Sequence, residues 1–193
     1  ELNIRDGYVM SPRDLCTLPF LDKLVAAGID VFKIEGRGRA PEYVDVVVRT
    51  YKEAVDAIVN GSYSKEKVDR WMDILKTVYN RDFSDGYYLG KLLPDWAESS
   101  GNQATEEKVF TGVVKHYFVK AQVAEVELQA GPLSESESIL VMGPTTGVLR
   151  TEVKSIWLAD KPVKIAPKGR MITLPVPDRV RSGDKLYSVK SCS

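Results

Sequence analysis

The sequence of 193 residues predicts an α/β plus all-β fold class. Up to about residue 80, short apolar runs alternate with stretches of helical periodicity, which is typical of a parallel α/β layer. From residue 108 onward, short β-rich runs are separated by Gly, Pro, Ser and Asp, which favours a small antiparallel barrel or sandwich. Residues 81–107 contain Pro94 and a Ser-Ser-Gly run, and we interpret them as the connection.

Two short strands, each followed by a helix, are predicted in the first forty residues or so. Tyr8–Met10 is the first strand, and the Ser-Pro pair after it supplies an N-cap and a proline at the first helical position. A second helix start at Pro19 is expected to end at Gly28, where glycine can cap the helix. The run from Val31 to Ile34 is the next predicted strand.

Two longer helices follow, one from Pro41 to about Gly61 and one capped by Ser64. Two parallel strands and these helices cannot cover the edges of a parallel sheet, whose faces are normally buried. A closed barrel of strand–helix units needs about 250 residues. We therefore interpret residues 1–80 as the C-terminal portion of a TIM-like α/β barrel with a helical extension, whose earlier strands lie outside this sequence.

Residues 108–193 contain six β-rich runs, which predict a small six-stranded antiparallel β-barrel. Short turn segments rich in Gly, Pro, Ser and Asp separate these runs. The runs read VFTGVVKHYF, KAQVAEVELQA, SILVMG, RTEVKSIWL, GRMITLPV and DKLYSV.

Charged residues interrupt the predicted strand at its end, in the stretch FKIEGRGR. Lys33 and Glu35 would share the face that points into a barrel, where an unpaired charge is costly, so they must pair, meet water or meet a ligand. Barrel enzymes place their sites at the carboxyl ends of strands, and arginine suits carboxylate or phosphate. We predict Lys33, Glu35 and Arg37 as catalytic residues and Arg37 and Arg39 as substrate-binding residues. The alternative is a structural Lys33–Glu35 bridge with solvated arginines.

The charge balance is even, at 27 Lys and Arg against 27 Asp and Glu, but the C-terminal part is basic. From Arg150 to Lys190 there are ten Lys or Arg against four Asp or Glu. Such a surface can follow an RNA backbone, and we predict Arg179 and Arg181 as RNA-binding residues. The alternative is ordinary solvated surface charge.

Other features of the sequence argue against a disulfide framework, a membrane span, a nucleophile–histidine pair and a metal or phosphate-loop site. Cys16 and Cys192 are too few for a disulfide framework, so the predicted compartment is a reducing cytoplasm. No apolar stretch is long enough for a bilayer, and no secretory leader opens the sequence. His116, the only histidine, is interpreted as an ordinary strand residue without a nucleophile partner. Metal-ligand spacing and a phosphate loop are absent.

Three stretches of the sequence resemble the U-32 peptidases, the collagenase-like protease family of unassigned catalytic type. These stretches are GYVMSPRDLC, FKIEGRGRAPEYVDVVVRTYKEAVD and RDFSDGYYLG. The resemblance covers residues 7 to about 57 and 81–90. The last part, with its Gly183-Asp184 turn before KLYSV, resembles the second-domain β-barrel of elongation factor Tu-like proteins.

The resemblance implies an enzyme of which this sequence is a C-terminal part. Some members are called collagenases, and others are similar to hydroxylases of tRNA, ribosomal RNA or quinone precursors, several with a four-iron iron-sulfur cluster on four cysteines. Cys16 corresponds to the last cluster cysteine, and the other three would lie outside this sequence. The resemblance favours an RNA-hydroxylating enzyme, with a collagenase-like peptidase and a non-catalytic RNA- or protein-binding module as alternatives. The expected partners are RNA and the missing N-terminal barrel. The piece alone should hold no cluster and be inactive.

Overall fold

The computed structural model describes residues 13–90 and 101–192. The strand predicted at Tyr8–Met10, the helix start that follows it, and Pro94 of the predicted connection lie outside the described residues. The chain divides into two compact units, residues 1–105 and residues 106–193, which we call unit 1 and unit 2. The fold is mixed, with the described helices in unit 1 and a large antiparallel sheet in unit 2.

The described residues of unit 1 form one short parallel strand pair and three helices. Strand β1 pairs in parallel with β2, so that Asp14 lies opposite Phe83. A 3-10 turn leads into the short helix α1, and two longer helices, α2 and α3, follow. The bounds are β1 Asp14–Leu15, the 3-10 turn Leu18–Phe20, α1 Leu21–Ala26, α2 Pro41–Val59, α3 Lys65–Lys76 and β2 Phe83–Ser84.

Local signals set the ends of these helices as predicted. Pro41 is the first residue of α2, and Gly61 follows its end with a φ of +73° that glycine adopts without strain. Ser64 caps α3, because its side-chain oxygen accepts the backbone N–H of Lys67 at 3.4 Å. These two predicted helices are confirmed.

The strand predicted from Val31 to Ile34 is wrong. The segment carries no strand assignment and pairs with no other strand of the described residues. A strand requires a neighbour that takes its backbone hydrogen bonds, and the alternating pattern cannot supply one. The alternation itself holds, because Phe32 and Ile34 pack on the core while Val31 is 80% exposed.

The core of unit 1 lies between the 3-10 turn and the helices. Its fully buried side chains include Leu18, Leu21, Ala54 and Trp71. They come from the 3-10 turn, α1, α2 and α3 respectively, so one apolar cluster joins all four elements. The parallel β1–β2 pair is the only strand pairing among the described residues of unit 1, and the TIM-like barrel stays a prediction.

Unit 2 is built from ten strands rather than the six predicted. Eight of them form one antiparallel sheet in the order β7-β6-β12-β3-β4-β11-β8-β9, and β5 and β10 form a separate antiparallel pair. Burial alternates along β4, as expected for a sheet with one face on the core. The bounds are β3 Glu106–Phe118, β4 Val123–Leu128, β5 Leu133–Ser134, β6 Ser138–Gly143, β7 Gly147–Glu152, β8 Ile156–Leu158, β9 Lys161–Val163, β10 Ile165–Ala166, β11 Met171–Pro175 and β12 Lys185–Ser191.

The extra strands arise where a predicted run bends. The run RTEVKSIWL divides into β7, which ends at Glu152 and pairs with β6, and β8, which begins at Ile156 and pairs with β9 and β11 instead. The next turn is made by Ala159 and Asp160, both with positive φ although neither is glycine, and it starts β9. The strand count in the six-stranded prediction is therefore corrected.

Across residues 13–90 and 101–192, the structure contains no helix with the length and apolar character needed to cross a bilayer.

Candidate functional site

Unit 1 contains a cavity of about 670 Å³. Its lining comes from all three helices, from both strands of the parallel pair, and from the extended segment 29–39. Every site residue that the sequence predicts in this unit lines it, namely Cys16, Lys33, Glu35, Arg37 and Arg39. The cavity is therefore the candidate functional site.

One carboxylate in the cavity wall holds two arginines. The guanidinium of Arg81 donates to Asp14 Oδ1 from Nη2 at 2.7 Å and from Nε at 3.2 Å. Arg39 donates to the same oxygen from Nη2 at 3.2 Å. The hydrogen bond to Asp14 raises the pKa of Arg81, so the Arg81 guanidinium stays protonated. Neither Asp14 nor Arg81 was predicted from the sequence as a site residue.

The pair forms through the parallel register of β1 and β2. Asp14 forms part of β1, and Arg81 lies just before β2, so the parallel register brings them together. The backbone N–H of Arg81 donates to Asp14 Oδ2 at 3.1 Å, and the backbone N–H of Asp14 donates to the carbonyl of Asp82 at 2.9 Å. An Arg-Asp dipeptide beside a short apolar run occurs at both positions, but it also occurs at Arg5-Asp6 and so does not single out the pair. Pairing of the two runs could not be deduced from either alone.

Two tyrosines fix the guanidinium of Arg39. Its central carbon lies 4.2 Å from the ring centroid of Tyr79 and 5.2 Å from that of Tyr43. Cation–π contacts of this kind contribute roughly 0.5–2 kcal/mol, more where the cation is withdrawn from water. The predicted substrate residue Arg39 is thus held in place by protein groups and is largely buried.

The other predicted residues lie in the exposed part of the lining. The side chain of Glu35 accepts the backbone N–H of Arg37 at 2.7 Å, and Lys33 forms no ion pair with any residue between 13 and 90. The alternative of a structural Lys33–Glu35 bridge is therefore wrong for this structure. Gly38, with a φ of +72°, completes a tight turn after Arg37. This turn presents Lys33, Glu35 and Arg37 to solvent at the cavity.

The cavity lining carries an excess of positive charge. Among the residues that the structure describes, four cationic side chains line it against two carboxylates, which leaves an excess of two. The cations are Lys33, Arg37, Arg39 and Arg81, and the carboxylates are Asp14 and Glu35. Because low-dielectric walls focus this field, the cavity favours anionic ligands.

Cys16 lies in the wall of the same cavity and is 4% exposed. Its Sγ is 3.6 Å from the hydroxyl of Tyr51 and 3.7 Å from the sulfur of Met72. Burial raises the pKa of this thiol, and hydrogen bonding to Leu18 and Tyr51 only partly opposes the rise. The neutral thiol is therefore the stable form, whereas a cysteine nucleophile needs a lowered pKa.

The described residues do not form a complete iron-sulfur site. Cys16 is the one cysteine of unit 1 among them, and Cys192 is exposed in unit 2. No group of three or more His, Cys, Asp or Glu side chains with metal-binding proximity occurs in the described residues. A four-cysteine cluster could take at most Cys16 from this unit.

His116 lies on the exposed side of β3 in unit 2. Its ring makes an edge contact with Phe118 at a centroid distance of 4.6 Å. No cysteine or serine hydroxyl of the described residues is hydrogen-bonded to it. This placement agrees with its interpretation as an ordinary strand residue.

The two predicted RNA-binding arginines are exposed in unit 2, and one of them is oriented. Arg181 donates from Nη1 to the hydroxyl of Thr146 at 3.2 Å, and that hydroxyl donates to Asp184 at 2.6 Å. The backbone N–H of Arg181 also donates to Asp184, at 2.7 Å. The Gly183-Asp184 turn thus fixes the direction of Arg181, whereas Arg179 forms no ion pair within residues 106–192. The contact of Thr146 with Arg181 was not predicted from the sequence.

Comparison with known proteins identifies relatives of about twice this length. A relative from Porphyromonas gingivalis named "Collagenase" is 47% identical over 187 residues, which cover 97% of this chain and 45% of that protein. An uncharacterized protease of Methanocaldococcus jannaschii is 36% identical over 193 residues, covering 98% of this chain and 47% of that protein. The "tRNA hydroxylation protein P1" of Bacillus subtilis is 26% identical over 155 residues, covering 79% and 36%.

The chain spans about half the length of the first two of these relatives. The sequence model of the family described as "Peptidase family U32" matches residues 2–98, which is half of this chain and contains the cavity residues. The chain belongs to peptidase family U32.

Proposed function

We propose that the whole protein modifies RNA, by hydroxylating a base of tRNA or ribosomal RNA, and that this chain supplies RNA-binding groups. The observation that carries the proposal is the excess of two positive charges in the lining of the unit 1 cavity. RNA presents a negative phosphate at every nucleotide, and arginine binds phosphate with two parallel N–H groups. Relatives named for tRNA hydroxylation support this choice of substrate.

The cavity has aromatic groups beside its cations. Tyr43, Tyr79 and Tyr88 line it, and Tyr88 is exposed enough to meet a ligand. Unpaired bases of RNA stack on such rings while the backbone contacts cations. In this proposal Arg37 binds a phosphate, and Lys33 and Glu35 contact the nucleotide that reacts.

Unit 2 supplies a second set of RNA contacts in this proposal. Arg181 is oriented by Thr146 and Asp184, so it loses little side-chain entropy when it binds a phosphate. Arg179 is exposed two residues away. These arginines would contact the backbone without reading its sequence.

Hydroxylation replaces a C–H bond with C–OH and removes two electrons from the base. The oxygen donor and the oxidant would be bound outside the described residues. A four-iron cluster in the whole protein, with Cys16 as one of four ligands, belongs to the same proposal. A further α/β segment of the whole protein would cover the exposed apolar side chains of unit 1, such as Leu15 and Val31.

A collagenase-like peptidase is the second candidate function, because the relative at 47% identity is named "Collagenase". A peptidase needs an activated nucleophile or a bound water. In the described residues, Cys16 is a buried neutral thiol, and His116 makes no hydrogen bond to a serine or cysteine. Peptidase chemistry would therefore depend on residues outside the described ones.

Analysis of nucleosides from cells tests the proposal. Total tRNA and ribosomal RNA are digested and measured by mass spectrometry in cells with the gene, cells without it, and cells in which it is restored. We expect a hydroxylated nucleoside to disappear on deletion and to return with the wild-type gene. Unchanged nucleosides together with a loss of collagen cleavage would overturn the proposal and favour the peptidase.

A further inference from the structure

The two arginines held by Asp14 keep hydrogen-bond donors that it does not use. Arg39 donates to Asp14 through Nη2, and Arg81 donates through Nη2 and Nε. The Nη1 groups of both guanidiniums donate to no residue of the described part of unit 1. Both arginine side chains line the cavity.

The charges of this cluster do not cancel. One carboxylate faces two guanidiniums, and the exposed side-chain fractions are 17% for Asp14, 19% for Arg39 and 30% for Arg81. An excess positive charge with so little solvent contact is costly unless an anion accompanies it. The cavity is the open side from which an anion can reach the cluster.

The cluster is also held rigidly before any ligand binds. Arg39 is packed against Tyr43 and Tyr79, and the backbone of Arg81 is tied to Asp14. A preorganised guanidinium pair loses little conformational entropy when it takes up an anion. Two planar guanidiniums in fixed positions suit the several oxygens of a phosphate better than a single-oxygen anion or chloride.

We propose that Arg39 and Arg81 form a phosphate-binding subsite of the cavity, in which Asp14 is an internal anion that holds the two guanidiniums in position. This subsite deepens the proposed function, since the phosphate would be that of an RNA backbone. The same chemistry also fits free phosphate, and competition with an oligonucleotide separates free phosphate from an RNA backbone. Arg37, which is exposed at the cavity, would then contact a neighbouring phosphate.

Titration of this chain with inorganic phosphate tests the subsite, at fixed ionic strength and with chloride as reference. The Asp14→Asn variant keeps a side-chain oxygen that can accept from both arginines but removes the competing negative charge, so it should bind phosphate about tenfold more tightly than wild type. The Arg81→Lys variant keeps the charge but loses the planar fork, and it should bind about tenfold more weakly. Asp45→Asn, at a partly exposed carboxylate that pairs with Arg49 and does not line the cavity, is the matched control and should match wild type.

The outcomes are distinct. Equal phosphate affinity in wild type, Asp14→Asn and Arg81→Lys, or no binding beyond that of chloride, overturns the subsite. If Asp14→Asn does not fold, the phosphate affinity of Arg81→Lys relative to wild type tests the subsite on its own: weaker binding supports it, and equal binding overturns it. Competition of a short uridine oligonucleotide with phosphate assigns the subsite to an RNA backbone, and its absence assigns it to free phosphate. Phosphate binding together with unchanged cellular nucleosides would keep the subsite and overturn only the RNA-hydroxylation proposal.

Discussion

Arg81 donates two side-chain hydrogen bonds to Asp14 across a sequence separation of 67 residues. This contact joins the segment before β2 to β1, and it draws Arg39 into the same cluster through the shared oxygen. The contact is therefore both a structural tie of unit 1 and the reason why two cations lie together in the cavity wall.

Replacing Asp14 should destabilise unit 1. The Asp14→Asn variant leaves two partly buried guanidiniums without their carboxylate, which we expect to lower the free energy of unfolding by roughly 2–3 kcal/mol. Urea unfolding followed by helical circular dichroism measures this, since the described helices lie in unit 1. Asp45→Asn removes only an exposed pair with Arg49 and should cost less than about 0.5 kcal/mol. Equal losses in the two variants would show that the Asp14 cluster does not stabilise the unit.

Alkaline pH should weaken unit 1. Burial raises the pKa of Cys16 above its ordinary value of 9.0, and burial with the adjacent Cys16 raises the pKa of Tyr51 above 10.0. The folded state thus favours both protonated forms, and their contribution is complete below the unfolded values and is lost as pH rises through the folded ones. We expect the free energy of unfolding to fall above about pH 9, with a smaller slope in Tyr51→Phe. An identical slope in that variant would exclude Tyr51 as a cause.

Gly143 should be intolerant of any side chain. A Cβ at this position would overlap Oδ1 of Asp184, whose other oxygen is held by Thr146 and by the backbone N–H of Arg181. We expect Gly143→Ala to destabilise unit 2 by about 2–4 kcal/mol, measured as faster hydrogen exchange in β6 and β12. Gly131→Ala is the control, because a Cβ there meets nothing within 4 Å. Wild-type exchange in Gly143→Ala would mean that the Asp184 network is adaptable.

Local signals explain what could be predicted of the fold. A helix begins at a proline or a capping serine and ends at a glycine within its own sequence, so Pro41, Gly61 and Ser64 were sufficient. Strands depend on partners distant in the chain, so alternation at Val31–Ile34 placed side chains on the correct faces but could not supply a ladder. The two positive φ values at Ala159 and Asp160 had no glycine to signal them.

The candidate site likewise has residues that could be predicted from local sequence and residues that could not. The stretch with Lys33, Glu35 and Arg37 was recognisable because charge within an apolar run is unusual, and the structure places it at the cavity. Asp14 and Arg81 were missed, since each is an ordinary polar residue until the parallel register of β1 and β2 brings them together. The two residues meet only in the tertiary structure, so no local sequence pattern could show their pairing.

Replacing the two predicted RNA-binding arginines of unit 2 with glutamate should weaken RNA binding. If Arg179 and Arg181 contact phosphates, the double change to Glu should lower tRNA affinity and reduce the dependence of the affinity on salt by about two counterions. Filter binding of tRNA by this chain at several salt concentrations measures both quantities. Reversal of the exposed Arg49 in unit 1 is the control and should have a smaller effect. An unchanged salt slope in the double variant would assign these arginines to the solvated surface.

Ultraviolet cross-linking of tRNA to the whole protein, with mass spectrometry of the linked peptides, tests the RNA-binding account most directly. If RNA occupies the unit 1 cavity, we expect cross-links in peptides that contain Tyr43, Tyr79 or Tyr88, because these rings line the cavity beside its cations. The Arg37→Lys variant should reduce these cross-links, whereas Arg49→Lys should not. Cross-links confined to other peptides, or equal yields in both variants, would contradict the claim that RNA occupies the unit 1 cavity.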